Sequence, residues 1–175
     1  IIEFLHRKGF VYRDLKPNNI MIDENKTAVL IDFDRTTEYS KSSQNLFAAP
    51  EVHNDEYSYK SDVYSFGLMI NYVLTSNVPR DENLNLDDIP DRYSEIRNII
   101  TKCTTKNVDD RPSFPDMFCD FYQFCRNNNL IRGFSKAIQY FMFAAEHQND
   151  EIAQCHIGFI YLDSSFPSHD VEKGI

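Results

Sequence analysis

The chain has 175 residues, 42% hydrophobic and 14% aromatic, a composition that excludes a disordered chain and allows one packed domain with a small second module. Its net charge of −9 excludes a broad nucleic-acid surface, because neutralising phosphates takes clustered Lys and Arg. No apolar run reaches the roughly 18 residues of a membrane span and no leader precedes a small-residue cleavage site, so a soluble, cytoplasmic protein without membrane partners is expected.

Ile1, Ile2 and Leu5 form a short apolar stripe, and Arg7-Lys8-Gly9 reads as a helix C-terminus. The chain opens inside an amphipathic helix on Ile rather than Met, so the N-terminus is expected to be truncated. Ile20 to Ile22 and Ala28 to Ile31, separated by the polar turn Asp23-Glu24-Asn25-Lys26-Thr27, predict a small hairpin. Thr36 to Asn45 is rich in Ser and Thr and reads as an exposed, candidate regulatory loop. Ser61 is expected to cap a helix whose residues Val63, Phe66, Met69, Ile70, Val73 and Leu74 make a broad apolar stripe, with Leu68 on the other side.

Asn77 to Pro90 is acidic and loop-like, and Tyr93, Ile96, Ile99, Ile100 and Cys103 then repeat at helical spacing. Pro112, Ser113 and Pro115 mark the start of another helix, ending near Arg126, in which Phe118, Phe121, Tyr122 and Phe124 read as core. Asn127-Asn128-Asn129 is a candidate linker to helical segments at about Lys136 to Glu146 and Glu151 to Leu162. Neither Cys103, Cys119, Cys125 and Cys155 nor the five histidines show metal-ligand spacing, so the former read as reduced thiols and the latter as packing or surface groups.

Tyr12-Arg13-Asp14-Leu15-Lys16-Pro17-Asn18-Asn19 resembles the protein-kinase catalytic loop, with Tyr where that signature usually has His. Asp32-Phe33-Asp34 resembles D-F-G with Asp34 in place of glycine, a position where glycine tolerates angles that penalise other residues. Ala49-Pro50-Glu51 matches A-P-E. Asp62-Val63-Tyr64-Ser65-Phe66-Gly67 is similar to the start of the family's central helix, whose Asp supports the catalytic loop. Cys103 and Asp110-Arg111-Pro112-Ser113-Phe114 resemble the late pattern of tyrosine-kinase-like serine/threonine kinases, although Thr104 and Val108 replace the usual Trp and Pro. Ser43 and Gln44 stand where Gly-Thr is common. These motifs occur in family order from Ile1 to Asn127.

The resemblance implies a mainly α fold: the C-terminal lobe of a eukaryotic protein kinase over residues 1–127, helical with a small β-hairpin and with its N-terminal lobe absent. It implies an ATP-dependent serine/threonine kinase in which Asp14 accepts the substrate hydroxyl proton, Lys16 offsets charge on the transferring phosphoryl group, and Asn19 and Asp32 hold Mg2+. Lys16 points to Ser or Thr acceptors on protein substrates. It further implies that Glu51 pairs with Arg111, that Ser40, Ser42 and Ser43 are candidate phosphosites with Arg13 as receiver, and that this fragment is inactive by itself. Residues 133–175 resemble one truncated Sel-one-like helical repeat: Ala137, Ala144, Ala145, Ala153 and Gly158 let helices approach closely, and Lys136-Ala137-Ile138 recurs as Lys173-Gly174-Ile175. An ordinary helical hairpin is the alternative there, and a protein partner on the repeat is expected if it forms. A pseudokinase scaffold, motivated by Asp34, Gln44 and the missing N-terminal lobe, is the alternative for the whole.

Overall fold

The computed structural model describes residues 1–24, 28–36, 46–79 and 84–128. The candidate phosphosites, Gln44, the central turn residues 25–27 and the whole proposed repeat, with Cys155, lie outside the described residues. Ile1–Asn128 forms one compact unit, mainly helical with a two-stranded antiparallel sheet.

Helix α1, Ile2–Arg7, ends where Gly9 takes φ +84°. The Gly9 amide donates to the His6 carbonyl (3.0 Å) and the Phe10 amide to that of Leu5 (2.9 Å), which satisfies carbonyls the helix end leaves open. Strands β1, Ile20–Ile22, and β2, Ala28–Leu30, pair with Ile20 opposite Leu30 and Ile22 opposite Ala28. The expected hairpin is present, one residue shorter: Ile31 leaves the ladder and donates its amide to the Asn19 carbonyl at 2.9 Å.

Helix α2, Tyr59–Thr75, is the centre of the unit. Its cap is Ser58 rather than Ser61: Ser58 is the last extended residue, and Ser61, one turn inside, accepts the Ser58 amide at 3.1 Å on its hydroxyl. One side of α2 delivers Tyr64, Leu68 and Met69 to a core shared with Tyr12, Leu15, Leu30 and Val52. The other delivers Val63 and Ile70 to a second core with Ile96, Ile100, Met117 and Phe124. Of the expected stripe, Val73 is an exception at 73% exposed: in the last turn of α2 Tyr72 packs on the first core and Leu74 on the second, and Val73 faces neither.

Helix α3, Ser94–Cys103, buries Ile96, Ile99, Ile100 and Cys103 at the expected spacing, while Tyr93 belongs to the short 3-10 turn Asp91–Tyr93 before it. Gly67 allows α3 to approach α2 closely, since a Cβ there would lie 2.7 Å from Cys103 Cβ and 3.0 Å from Thr104 Cγ2. Arg97 of α3 fastens the preceding loop by donating to the carbonyls of Leu86 (3.1 Å) and Ile89. Helix α4, Phe114–Asn127, starts at Ser113, whose hydroxyl accepts the Asp116 amide at 3.2 Å, with Pro115 in the first turn. Phe124 is buried and Phe121 stacks edge-on against Phe66 of α2, so these two are core as expected, whereas Phe118 and Tyr122 are only half-buried. Cys103, Cys119 and Cys125 are free thiols, and burial pushes the Cys103 thiol up to about 12. Among the described residues, no helix is long and apolar enough to cross a membrane.

Candidate active site

The loop between α1 and β1 has no regular structure of its own until the 3-10 turn Pro17–Asn19, so other elements must hold it. Asp62, in the first turn of α2 and buried, accepts the Tyr12 amide on Oδ2 (2.8 Å) and the Arg13 amide on Oδ1 (2.9 Å). The expected support by Asp62 is therefore direct. It matters because Arg13 sits at φ +72°, a left-handed conformation that costs a non-glycine residue about 1–2 kcal/mol. Two charge-assisted hydrogen bonds to one carboxylate outweigh that cost. His6 of α1 completes the anchor, with Nε2 2.7 Å from Asp62 Oδ2, and packs between Tyr59 and Phe114. An ionised carboxylate only accepts, so Nε2 carries the proton.

From this anchor the chain turns Asp14 inward, leaving its side chain 2% exposed. Asp14 Oδ2 accepts Lys16 Nζ (2.7 Å) and Asn19 Nδ2 (3.0 Å), and Asn19 Nδ2 also meets the Asp14 carbonyl (2.9 Å). Three of the four expected site residues thus converge on one carboxylate. Buried charge needs such partners, and here a cation and an amide supply them.

Asp32, the fourth, is exposed at φ +61°. Its neighbours in sequence tie it to the same loop: the Ile31 amide bonds the Asn19 carbonyl, and the Phe33 ring packs edge-on against Tyr12, centroids 5.6 Å apart. Tyr12 is the hub of this connection. It is fully buried and donates its hydroxyl to the Ile31 carbonyl. Burial pushes the phenol up to about 12, the Asp14, Asp32 and Asp62 carboxylates add to that, and its hydrogen bond with Asn19 opposes it, so Tyr12 stays a neutral donor. Asp34 does not occupy the left-handed region; Asp32 does, so the glycine replacement carries no backbone strain in this conformation.

Glu51 and Arg111 form the expected pair, bidentate at 2.6 and 2.9 Å. Ser61 donates to Glu51 Oε1 (2.9 Å), and Arg111 also donates to the Thr105 carbonyl (2.9 Å) and lies over the Tyr64 ring. Burial works to raise the Glu51 carboxyl, but the hydrogen bonds from Arg111, its own backbone and Ser61 together hold it below the usual range. Arg13, read as a phosphate receiver, has its guanidinium over the Tyr57 ring at 4.7 Å.

Two participants escaped the sequence reading. His6 belongs to a general class of packing histidines until its distance to Asp62 is known, and nothing in its spacing announces that contact. Arg35 stands 3.6 Å from Asp14 Oδ1. Its signal was a cation inside the short turn after Asp32-Phe33-Asp34.

The protein kinase domain family matches residues 1–132. A probable serine/threonine-protein kinase of Dictyostelium discoideum is 31% identical over 137 residues, covering 66% of this chain and 32% of the relative. Mitogen-activated protein kinase kinase kinase 9 of Arabidopsis thaliana is 30% identical over 138 residues, 66% of this chain and 18% of its own. A second probable serine/threonine-protein kinase of Dictyostelium discoideum is 32% identical over 133 residues, 65% of this chain and 10% of its own. The chain therefore spans less than a third of the length of these relatives. With its anchored loop, its carboxylate-centred site and the family match over the same residues, the chain belongs to the protein kinase domain family.

Proposed function

We propose that this chain carries the catalytic-loop half of an ATP-dependent protein serine/threonine kinase, its C-terminal lobe at residues 1–127, with the N-terminal lobe supplied by sequence outside it. The names of the relatives and their greater length support this reading. The observation that carries it is the convergence of Lys16 and Asn19 on Asp14 Oδ2. A carboxylate used only as a turn cap would bond neighbouring amides; this one is buried against a cation and an amide that phosphoryl transfer can use.

In this reading Asp14 orients the Ser or Thr hydroxyl of a protein substrate and takes its proton as the oxygen attacks the γ-phosphorus and the bond to ADP breaks. Lys16, beside Asp14 and partly exposed, faces the transferring phosphoryl oxygens and disperses their charge. The donor set also fits Mg2+, which takes one or two protein oxygens together with phosphate and water. Asn19 spends its Nδ2 on Asp14 and so has its amide oxygen for the ion, and Asp32 presents an exposed carboxylate on the adjoining segment. Bound there, the ion would neutralise phosphate charge. Residues 133–175 are assigned to a Sel-one-like repeat that binds a protein partner.

Phosphate transfer from labelled ATP by the full-length protein tests the assignment. Asp14→Asn and Asp32→Asn are each expected to lower kcat by at least about 100-fold, the scale of a positioned general base. Equal transfer by wild type and both variants would remove the assignment of Asp14 and Asp32, and no transfer by wild type would leave the pseudokinase scaffold as the better reading.

A further inference from the structure

Helix α1 and the N-terminal ends of α2 and α4 enclose a groove of about 250 Å³, lined by none of Asp14, Lys16, Asn19 or Asp32. Its apolar wall is an aromatic cluster: the His6 ring lies 4.8 Å from the Tyr59 centroid and, edge-on, 5.6 Å from that of Phe114, and Pro115 extends the wall. The wall is formed in advance, because His6 Nε2 is held by Asp62 Oδ2 at 2.7 Å. A fixed wall spares a ligand the cost of ordering it. The volume falls below the roughly 300–1,000 Å³ of small-molecule sites and suits one large side chain of a protein segment. Tyr59, 44% exposed, offers a face against which an aromatic ring can pack.

The rim decides the charge of that segment. Glu3 and Arg7, one helical turn apart on α1, attract each other. Lys60 of α2 is a further cation. Its ammonium donates to the neutral Arg111 carbonyl, which satisfies one of its three donors and neutralises none of its charge. The lining thus holds two cations, Arg7 and Lys60, against the single carboxylate of Glu3, on a chain whose net charge is −9. Asp116 is not part of the lining; it accepts the Ser113 hydroxyl at 2.5 Å. We propose that this groove docks a segment of a separate protein in which a Phe or Tyr neighbours an Asp or Glu, the ring lying on the aromatic wall and the carboxylate on Lys60. A neutral neighbour forgoes the ion pair and a basic one meets repulsion. Docking here requires no phosphate transfer and stands apart from the kinase reading.

Three peptides with a common Gly-Ser backbone and a central Phe-Glu, Ala-Glu or Phe-Lys pair serve as probes for the full-length protein, titrated by ligand-observed NMR. The Phe-Glu peptide is expected to bind saturably with Kd on the order of 1 mM. Replacing its Phe by Ala should weaken binding at least about tenfold, the scale of burying one aromatic side chain. Replacing its Glu by Lys should weaken binding about threefold to fivefold, the scale of a partly exposed ion pair. Lys60→Met keeps the alkyl stem and is expected to bring the Phe-Glu and Phe-Lys peptides within about twofold of each other while leaving the Phe-over-Ala ratio in place. Tyr59→Ala removes part of the wall and is expected to cut the Phe-over-Ala ratio to about threefold or less, with the preference for Glu kept. Tyr59 also packs on His6, so the denaturant midpoint of that variant is measured alongside, and where it falls Lys60→Met decides. Absence of saturable binding by wild type, as when another part of the protein itself fills the groove, overturns the proposal. Equal binding of the Phe-Glu and Ala-Glu peptides, an unchanged Glu preference in Lys60→Met, or an unchanged Phe preference in folded Tyr59→Ala does the same.

Discussion

At position 62 a single buried carboxylate accepts two consecutive backbone amides and faces His6, and through them it sets the conformation of the loop that bears Asp14. Removing it would leave the Tyr12 and Arg13 amides without their acceptor in a site closed to water, and would release Arg13 from its left-handed geometry. Asp62→Ala is therefore expected to cost about 3 kcal/mol of stability, the scale of losing charge-assisted bonds to buried donors, and, on the proposed kinase function, to lower kcat with KM for ATP little changed. Denaturant unfolding and steady-state kinetics check it; unchanged stability would mean that the loop holds itself. The motif order identified Asp62 as a support, but His6 became legible only in three dimensions, because the two are 56 residues apart and no local pattern couples them.

Among the elements, α2 decides the architecture because both of its long sides are buried. Periodicity located this helix and most of its apolar residues. It missed the cap by one turn, since Ser58 and Ser61 are equally good capping residues and only the backbone says which is extended. It also placed Val73 inside, because a stripe does not say which of its edges the neighbouring elements cover. Gly67, read as part of a motif, has a packing role at the crossing with α3. Gly67→Ala would gain helix propensity of about 1 kcal/mol but drive a methyl into Cys103 and Thr104. Overpacking of that kind costs about 1–3 kcal/mol, so a net loss of up to about 2 kcal/mol is expected, read as a lower denaturant midpoint with unchanged slope. A raised midpoint would show that the helices can part freely.

Across the molecule, Glu51 and Arg111, 60 residues apart, join the segment before α2 to the segment before α4. Arg111 is fully buried, so Glu51→Ala strands its charge and is expected to cost about 3–5 kcal/mol. The pH dependence has a definite sign. The carboxyl is held below its ordinary 4.5 in the folded state, so its contribution is complete above that value and is lost as pH falls through the lower folded value. Acid titration of unfolding should show a loss of stability below about pH 4.5 that is smaller in Glu51→Ala; identical acid slopes would remove the pair from that account. The sequence alone determined the order of the four helices and the hairpin, though not the 3-10 turns between them, together with the family resemblance and the identity of Asp14, Lys16 and Asn19 as one group, because these rest on short-range spacing and on residue chemistry. Tertiary structure decided what holds that group: His6 on Asp62, Tyr12 on Ile31 and Arg35 against Asp14. Such contacts depend on where the helices and the turn bring distant side chains, and neither periodicity nor propensity carries that information.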